Sequence, residues 1–195
     1  MAAQPVKLNL KIIQGSTFRE TFRWESSEKV YVPITNITKS APMVVQADNH
    51  GVPPGWRAKI TGATGMKEVN SEDYRVVTGI TANSLTFNAV NALNYTTYIG
   101  GGVLEYNKPI DLTGVTARMQ IREKITSSSV IEELTTENSK IFVDNTLKTI
   151  TLLLPASTTM GYTFTTAVYS LEIVRSGEVI PMLYGSVSLD REVTR

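Results

Sequence analysis

The chain has 195 residues, 42% of them hydrophobic and 19% charged, with 19 Lys and Arg against 18 Asp and Glu for a formal net charge of +1. That length suffices for one large or two small domains with real cores, and near-neutrality without a concentrated basic stretch argues against nucleic acid as a partner. The complete absence of cysteine excludes disulfides, thiolate metal sites and cysteine nucleophiles together.

Along the chain the dominant period is two, the mark of half-buried strands. The opening "MAAQPVKLNLKIIQG" alternates where a signal peptide would be continuously apolar, and no run approaches the roughly 20 apolar residues of a membrane span, so neither leader nor membrane is expected. In "VKLNLKI" Leu8, Leu10 and Ile12 share one face. Phe18, Phe22 and Trp24 follow with one parity and read as core of the same domain. Between about Thr38 and Asn107 the texture changes: "NHGVPPGW", "GATG" and "IGGG" are turn or bulge signals between the short strands "APMVVQA", "RAKITG", "YRVVTGI" and "SLTFNAV". Residues 39–107 therefore read as an insertion, the size of a small barrel or sandwich, that interrupts a host domain made of residues 1–38 and 108–195. Within the second host segment, Val115, Ala117, Met119 and Ile121 point inward, and Thr116, Arg118, Gln120 and Arg122 outward. The only candidate helix is "SSSVIEELTTENSK", with Ser127 to Ser129 as cap residues. "KIFVDNTLKTITLLLP" reads as a strand pair reversing at Asp144-Asn145 and closed by Pro155. The last hairpin carries Ala167, Tyr169, Leu171 and Ile173 inward, turns at Ser176-Gly177, and returns with Val179, Leu183, Val187 and Leu189 on one face. The fold class is all-β.

Reactive chemistry is scarce. A Ser-His-Asp arrangement needs a histidine, and the single one, His50, sits in a Pro/Gly turn. The acidic pairs Glu72-Asp73 and Glu132-Glu133 are neighbours, and neighbours on a strand point to opposite faces, so metal ligation is not expected either. Gly62, Gly65 and the triplet Gly100 to Gly102 read as scaffold for sharp bends, because no Lys-Ser/Thr follows to make a phosphate cradle. Met66 is expected to plug the core of the insert and Asn70 to bond a turn backbone. Trp56, Tyr95 and Tyr98 lie in turns of the insert and are candidate protein-contact residues, since rings bury much area at little entropic cost. Packing inside the insert is the default reading against which that candidacy stands. No catalytic, cofactor-binding or metal-binding residue is assigned, and no cofactor is expected.

Two resemblances bear on function. The segments "NHGVPPGW", "AKITGATGM", "EVNSEDYRVV", "SLTFNAV" and "NYTTYIGGGV" occur in the order seen in a small β-barrel module of bacteriophage tail and fibre proteins, a module similar to the first catalytic cysteine half (FCCH) domain of ubiquitin-activating enzymes. The flanking "IIQGSTFRETFRW", "PIDLTGVTARMQIRE" and "VYSLEIVRSGEVIPMLYGSVSLDREVTR" resemble the immunoglobulin-like N-terminal domain of phage baseplate upper proteins. The resemblance implies an immunoglobulin-like sandwich carrying an FCCH-like insert. It also implies a non-enzymatic virion protein of a tailed phage, assembled in the bacterial cytoplasm: an adaptor at the neck, tail or baseplate. Its expected partners are other virion proteins (tail, connector, baseplate or fibre), with symmetric multiple copies in the particle. A receptor- or carbohydrate-binding tail module and a head decoration protein are the alternatives.

Overall fold

The computed structural model describes residues 4–192, which form an all-β fold with one short α-helix and one 3-10 turn. Neither described helix is long and apolar enough to cross a membrane. The chain divides into two compact units: residues up to Arg23 with Leu112–Asn145 and the residues from Thr149 onward, and Trp24–Asp111 with Thr146–Lys148.

The first unit opens with β1 (Val6–Lys7), β2 (Leu10–Ile13) and β3 (Phe18–Arg23). The second contributes β4 (Glu25–Pro33), β5 (Asn36–Ile37), β6 (Met43–Gln46), β7 (Arg57–Thr64), β8 (Arg75–Val76), β9 (Ser84–Phe87) and β10 (Gly100–Pro109). The chain then returns to the first unit with β11 (Thr116–Arg122), β12 (Glu132–Thr135), β13 (Ile141–Asp144), β14 (Thr149–Leu154), α1 (Ala156–Met160), β15 (Thr166–Arg175) and β16 (Glu178–Asp190).

In the first unit, β12, β11, β15 and β16 pair in that order, and β1 and β2 both run parallel to β16 along its other side. A second sheet is built from β13, β14 and β3. Strict alternation buries one face of each: Ala117, Met119 and Ile121 on β11, Ala167, Tyr169, Leu171 and Ile173 on β15, and Ile150, Leu152 and Leu154 on β14. Each such Leu, Ile or Met side chain contributes about 1.5–3 kcal/mol by leaving water. The β15–β16 reversal holds Ser176 at φ +51° and Gly177 at φ +81°, the paired left-handed residues of a type I′ turn.

Three details depart from the sequence reading. The candidate helix is β12 instead, because Leu134 fits the core opposite Met119 and the strand completes the edge beside β11. The one short helix is Ala156–Met160, directly after Pro155. On β16 the partner of Leu171 is Leu183 while that of Glu172 is Pro181, so Met182 is an extra, bulged residue. The bulge swaps parity: Ile180 faces Ile173, and Val179, expected inside, is 50% exposed.

The second unit has two sheets, β4-β10-β7-β8 and β5-β6-β9. Hydrogen bonding links them through the Thr78–Thr86 bridge and through the Thr35 N–H, which donates to the Gln46 carbonyl at 2.8 Å, around a core that includes Trp56, Met66, Leu85, Phe87 and Leu104. Met66 is fully buried, and Asn70 clamps the backbone of Ala63 from both sides, accepting from its N–H at 2.9 Å and donating to its carbonyl at 3.0 Å. Gly102, at φ +87°, lies where a Cβ would stand 3.0 Å from the Ala63 backbone, so the glycine triplet serves close pairing of β10 with β7.

The junctions between the units also differ from the sequence reading. Residues 24–38, assigned there to the sandwich, belong to the second unit: β4 pairs with β10 along most of its length, and β5 pairs with β6. The breaks fall after Arg23 and after Asp111 instead of after residues 38 and 107. Trp24 accordingly sits past the end of β3, half-buried in the second unit, while Phe18 remains core of the first.

Candidate functional site

Trp56, Tyr95 and Tyr98 do not form an exposed platform. Trp56 follows the Pro53-Pro54-Gly55 turn, whose backbone closes from the Trp56 N–H to the Pro53 carbonyl at 3.2 Å and delivers the indole inward. It is fully buried, its Nε1–H donating to the Asn107 carbonyl at 2.9 Å, and so is unavailable to a partner. Tyr95 and Tyr98 are half-buried and pack against the same core. The Tyr98 hydroxyl has its one hydrogen between two acceptors, the carbonyls of Gly101 at 2.8 Å and Ile34 at 3.1 Å, and burial holds its pKa above the ordinary tyrosine value. Turn residues looked surface-bound in sequence because glycine and proline usually mark the surface, but here the turn folds its aromatic into the core.

His50 is also internal. Its Nδ1 accepts the Val52 N–H at 3.0 Å and its Nε2 lies 3.2 Å from the Ser84 carbonyl, an arrangement that requires the proton on Nε2. The Tyr106 hydroxyl donates to the His50 carbonyl. Of the acidic pairs, Glu132 meets Lys140 at 2.5 Å and the Tyr162 hydroxyl at 3.0 Å, whereas Glu133 accepts from Gln120 at 2.7 Å on the opposite face. Among the described residues no group of three or more His, Asp or Glu is arranged to hold a metal ion.

Two surfaces concentrate chemistry instead. On the outward face of β4, β10 and β7, Glu105 stands opposite Tyr31 and Lys59, and Asn107 opposite Lys29. Tyr74 lies over this row, with Lys29 Nζ 4.6 Å and Lys59 Nζ 5.4 Å from its ring centre, and its hydroxyl donates to Glu105. Glu105 also faces Lys59 at 3.5 Å and Lys29 at 3.8 Å, and the Tyr74 hydrogen bond, aided by both cations, holds its carboxyl below the usual range. Arg57 forks onto Glu25 at 2.8 to 3.1 Å, and Lys59 reaches Glu72 at 3.0 Å. Every charge of this patch has an opposite neighbour, which makes it a self-satisfied cover for the sheet. Its signal in sequence is the alternation of "KVYV", "RAKIT" and "VLEYN", in which Lys29 and Tyr31, Arg57, Lys59 and Thr61, and Glu105 and Asn107 share one face.

The second surface is the outward face of the six-stranded sheet. Here a groove of about 650 Å³ is floored by Val168, Ser170, Tyr184 and Ser186 and flanked by Lys7 and Arg122. Gly185 lies in its floor, where a Cβ would stand 2.0 Å from the Leu8 carbonyl oxygen. That close approach lets Leu8 accept the Tyr169 hydroxyl at 2.9 Å, while the Ser186 N–H turns to Asn9 Oδ1 at 3.2 Å. Burial, with the negative charge of Glu20, pushes the Tyr169 hydroxyl up to about 12, so it stays a donor. Sequence reading placed Gln120 and Arg122 outward but had no means to see the strand order that gathers them with Lys7.

No protein-family model matches the chain, and no curated protein matches it in sequence.

Proposed function

We propose that this chain is a non-enzymatic structural protein of a tailed-bacteriophage virion, an adaptor at the neck, tail or baseplate that joins neighbouring virion proteins or fibres. The observation that carries the reading is the segregation of the two motif sets. The segments resembling the tail and fibre module all fall in the second unit, and the flanking motifs fall in the first apart from their junction ends, Trp24 and Pro109–Asp111, which group with the second. On this reading the first unit is an immunoglobulin-like sandwich, the second an FCCH-like barrel, and the work is assembly through β surfaces. Copies are arranged symmetrically, each burying more than about 1,000 Å² against its neighbours, the usual threshold for a specific contact. A carbohydrate-binding role would draw on an aromatic platform, and the three turn aromatics are buried or half-buried inside their own unit. Deleting the gene and imaging the particles tests the proposal: incomplete tails or missing fibres are expected, and complete, infectious virions would refute it.

A further inference from the structure

We propose that the groove on the outward face of the six-stranded sheet docks an extended, acidic segment of a partner protein, with carboxylates at its two ends and an apolar side chain between them. The first support is charge. Among the described residues neither Lys7 nor Arg122 belongs to an ion pair, although many of the chain's other basic residues do. Arg122 is instead fixed by neutral groups: it donates to the Ser127 carbonyl at 2.6 Å, to the Ser128 carbonyl at 3.0 Å and to Gln120 Oε1 at 2.7 Å. The nearest carboxylate through this network is Glu133, one residue removed, which accepts from the other end of the Gln120 amide. A half-buried guanidinium held in place by carbonyls, with no carboxylate bonded to it, is preorganised for an external one.

Spacing selects the ligand. Lys7 stands opposite Tyr184, Tyr184 opposite Ser170, and Ser170 opposite Gln120, so the two flanks of the groove lie three strand spacings apart, about 14 Å. Because Arg122 is tied down, a single compact anion does not satisfy both cations. An extended peptide does: residues i and i+4 share a face and lie about 13 Å apart, with i+2 between them on that face. The middle residue would meet apolar surface, since Tyr184 is 45% exposed and Ile125, on the loop after β11, is 88% exposed. The inference concerns this surface alone and holds or fails independently of the virion reading.

The test is fluorescence anisotropy with the full chain and the labelled peptide Gly-Glu-Thr-Val-Thr-Glu-Gly. Saturable binding is expected, weakening about tenfold or more when both Glu are replaced by Gln or when Lys7 becomes Glu, and falling with added salt. Lys7 is exposed, so Lys7→Glu is expected to fold, and thermal melting checks it. Arg122→Gln should weaken binding as strongly. Equal affinity for the Gln peptide, unchanged affinity in Lys7→Glu, or no saturation by about 5 mM peptide overturns the proposal. So does binding of a neutral oligosaccharide in place of the peptide, which would assign the groove to glycans.

Discussion

At Gly65 two separate demands fall on one residue. The backbone holds φ +79°, which L side chains adopt only with strain, and a Cβ there would stand 2.2 Å from the Thr97 carbonyl oxygen. Gly114 has a similar φ of +68° but nothing within 4 Å of a Cβ, so the pair separates strain from collision. Gly114→Ala should cost about 1 kcal/mol by strain alone, and Gly65→Ala about 3 kcal/mol or more, read from urea unfolding midpoints. Glu105 gives a pH signature. Its folded pKa is depressed by Tyr74, Lys59 and Lys29, so its contribution is fully present above the ordinary carboxylate range and is lost as pH falls through the folded value. Glu105→Gln should lower stability at neutral pH and flatten the decline below about pH 4.5, seen in unfolding midpoints measured across pH. Asn70 and Met66 were legible in sequence because turn chemistry and plugging are local properties. For Trp56 the sequence left packing and contact both open, because whether a turn aromatic faces in or out depends on strands far away in the chain.

Strands were legible wherever alternation ran unbroken. On β11 and β15 the inward residues are those the period-two pattern picks out, since a buried face permits only one register. The pattern misleads where geometry inserts a residue without marking it, as at Met182, whose bulge sends Val179 to solvent. It also misleads at β12, where serine caps resemble a helix start and only pairing with β11 decides. β4 alternates like the strands before it, and nothing in its residues says that its partner is β10. The groove was invisible for the same reason: its flanks come from β1 and β11, brought together by strand order. Gly185 is the residue on which that order leans. Gly185→Ala would drive a methyl into the Leu8 carbonyl, so β1 and the Leu8–Asn9 crossover should separate from β16. Faster amide hydrogen exchange from Val6 to Leu10, with β11 and β15 still protected, is the expected outcome.

The whole chain is one unit interrupted by another, and the first unit supplies closely placed ends for the interruption. Arg23 stands opposite Thr149, and the Leu112 N–H donates to Asn145 Oδ1 at 2.8 Å, so both junctions sit at the same end of the β13–β14 hairpin, whose turn groups with the second unit. Replacing residues 24–111 with a Gly-Ser linker of about ten residues should therefore leave the first unit folding cooperatively, because loop closure depends only weakly on length. Loss of a cooperative melting transition in that variant would show that the units are inseparable. The same nesting governs synthesis. β2 and β3 leave the ribosome early, yet their partners, residues 187–190 and 149–154, are translated only after the entire second unit. At about 5–20 residues per second the early strands wait on the order of ten seconds or more with their edges unpaired. The intervening unit is contiguous in sequence but for the residue 146–148 turn, so it is able to fold during that wait. The first unit closes only when β14 and β16 are made and meet strands that have waited through the synthesis of the whole second unit.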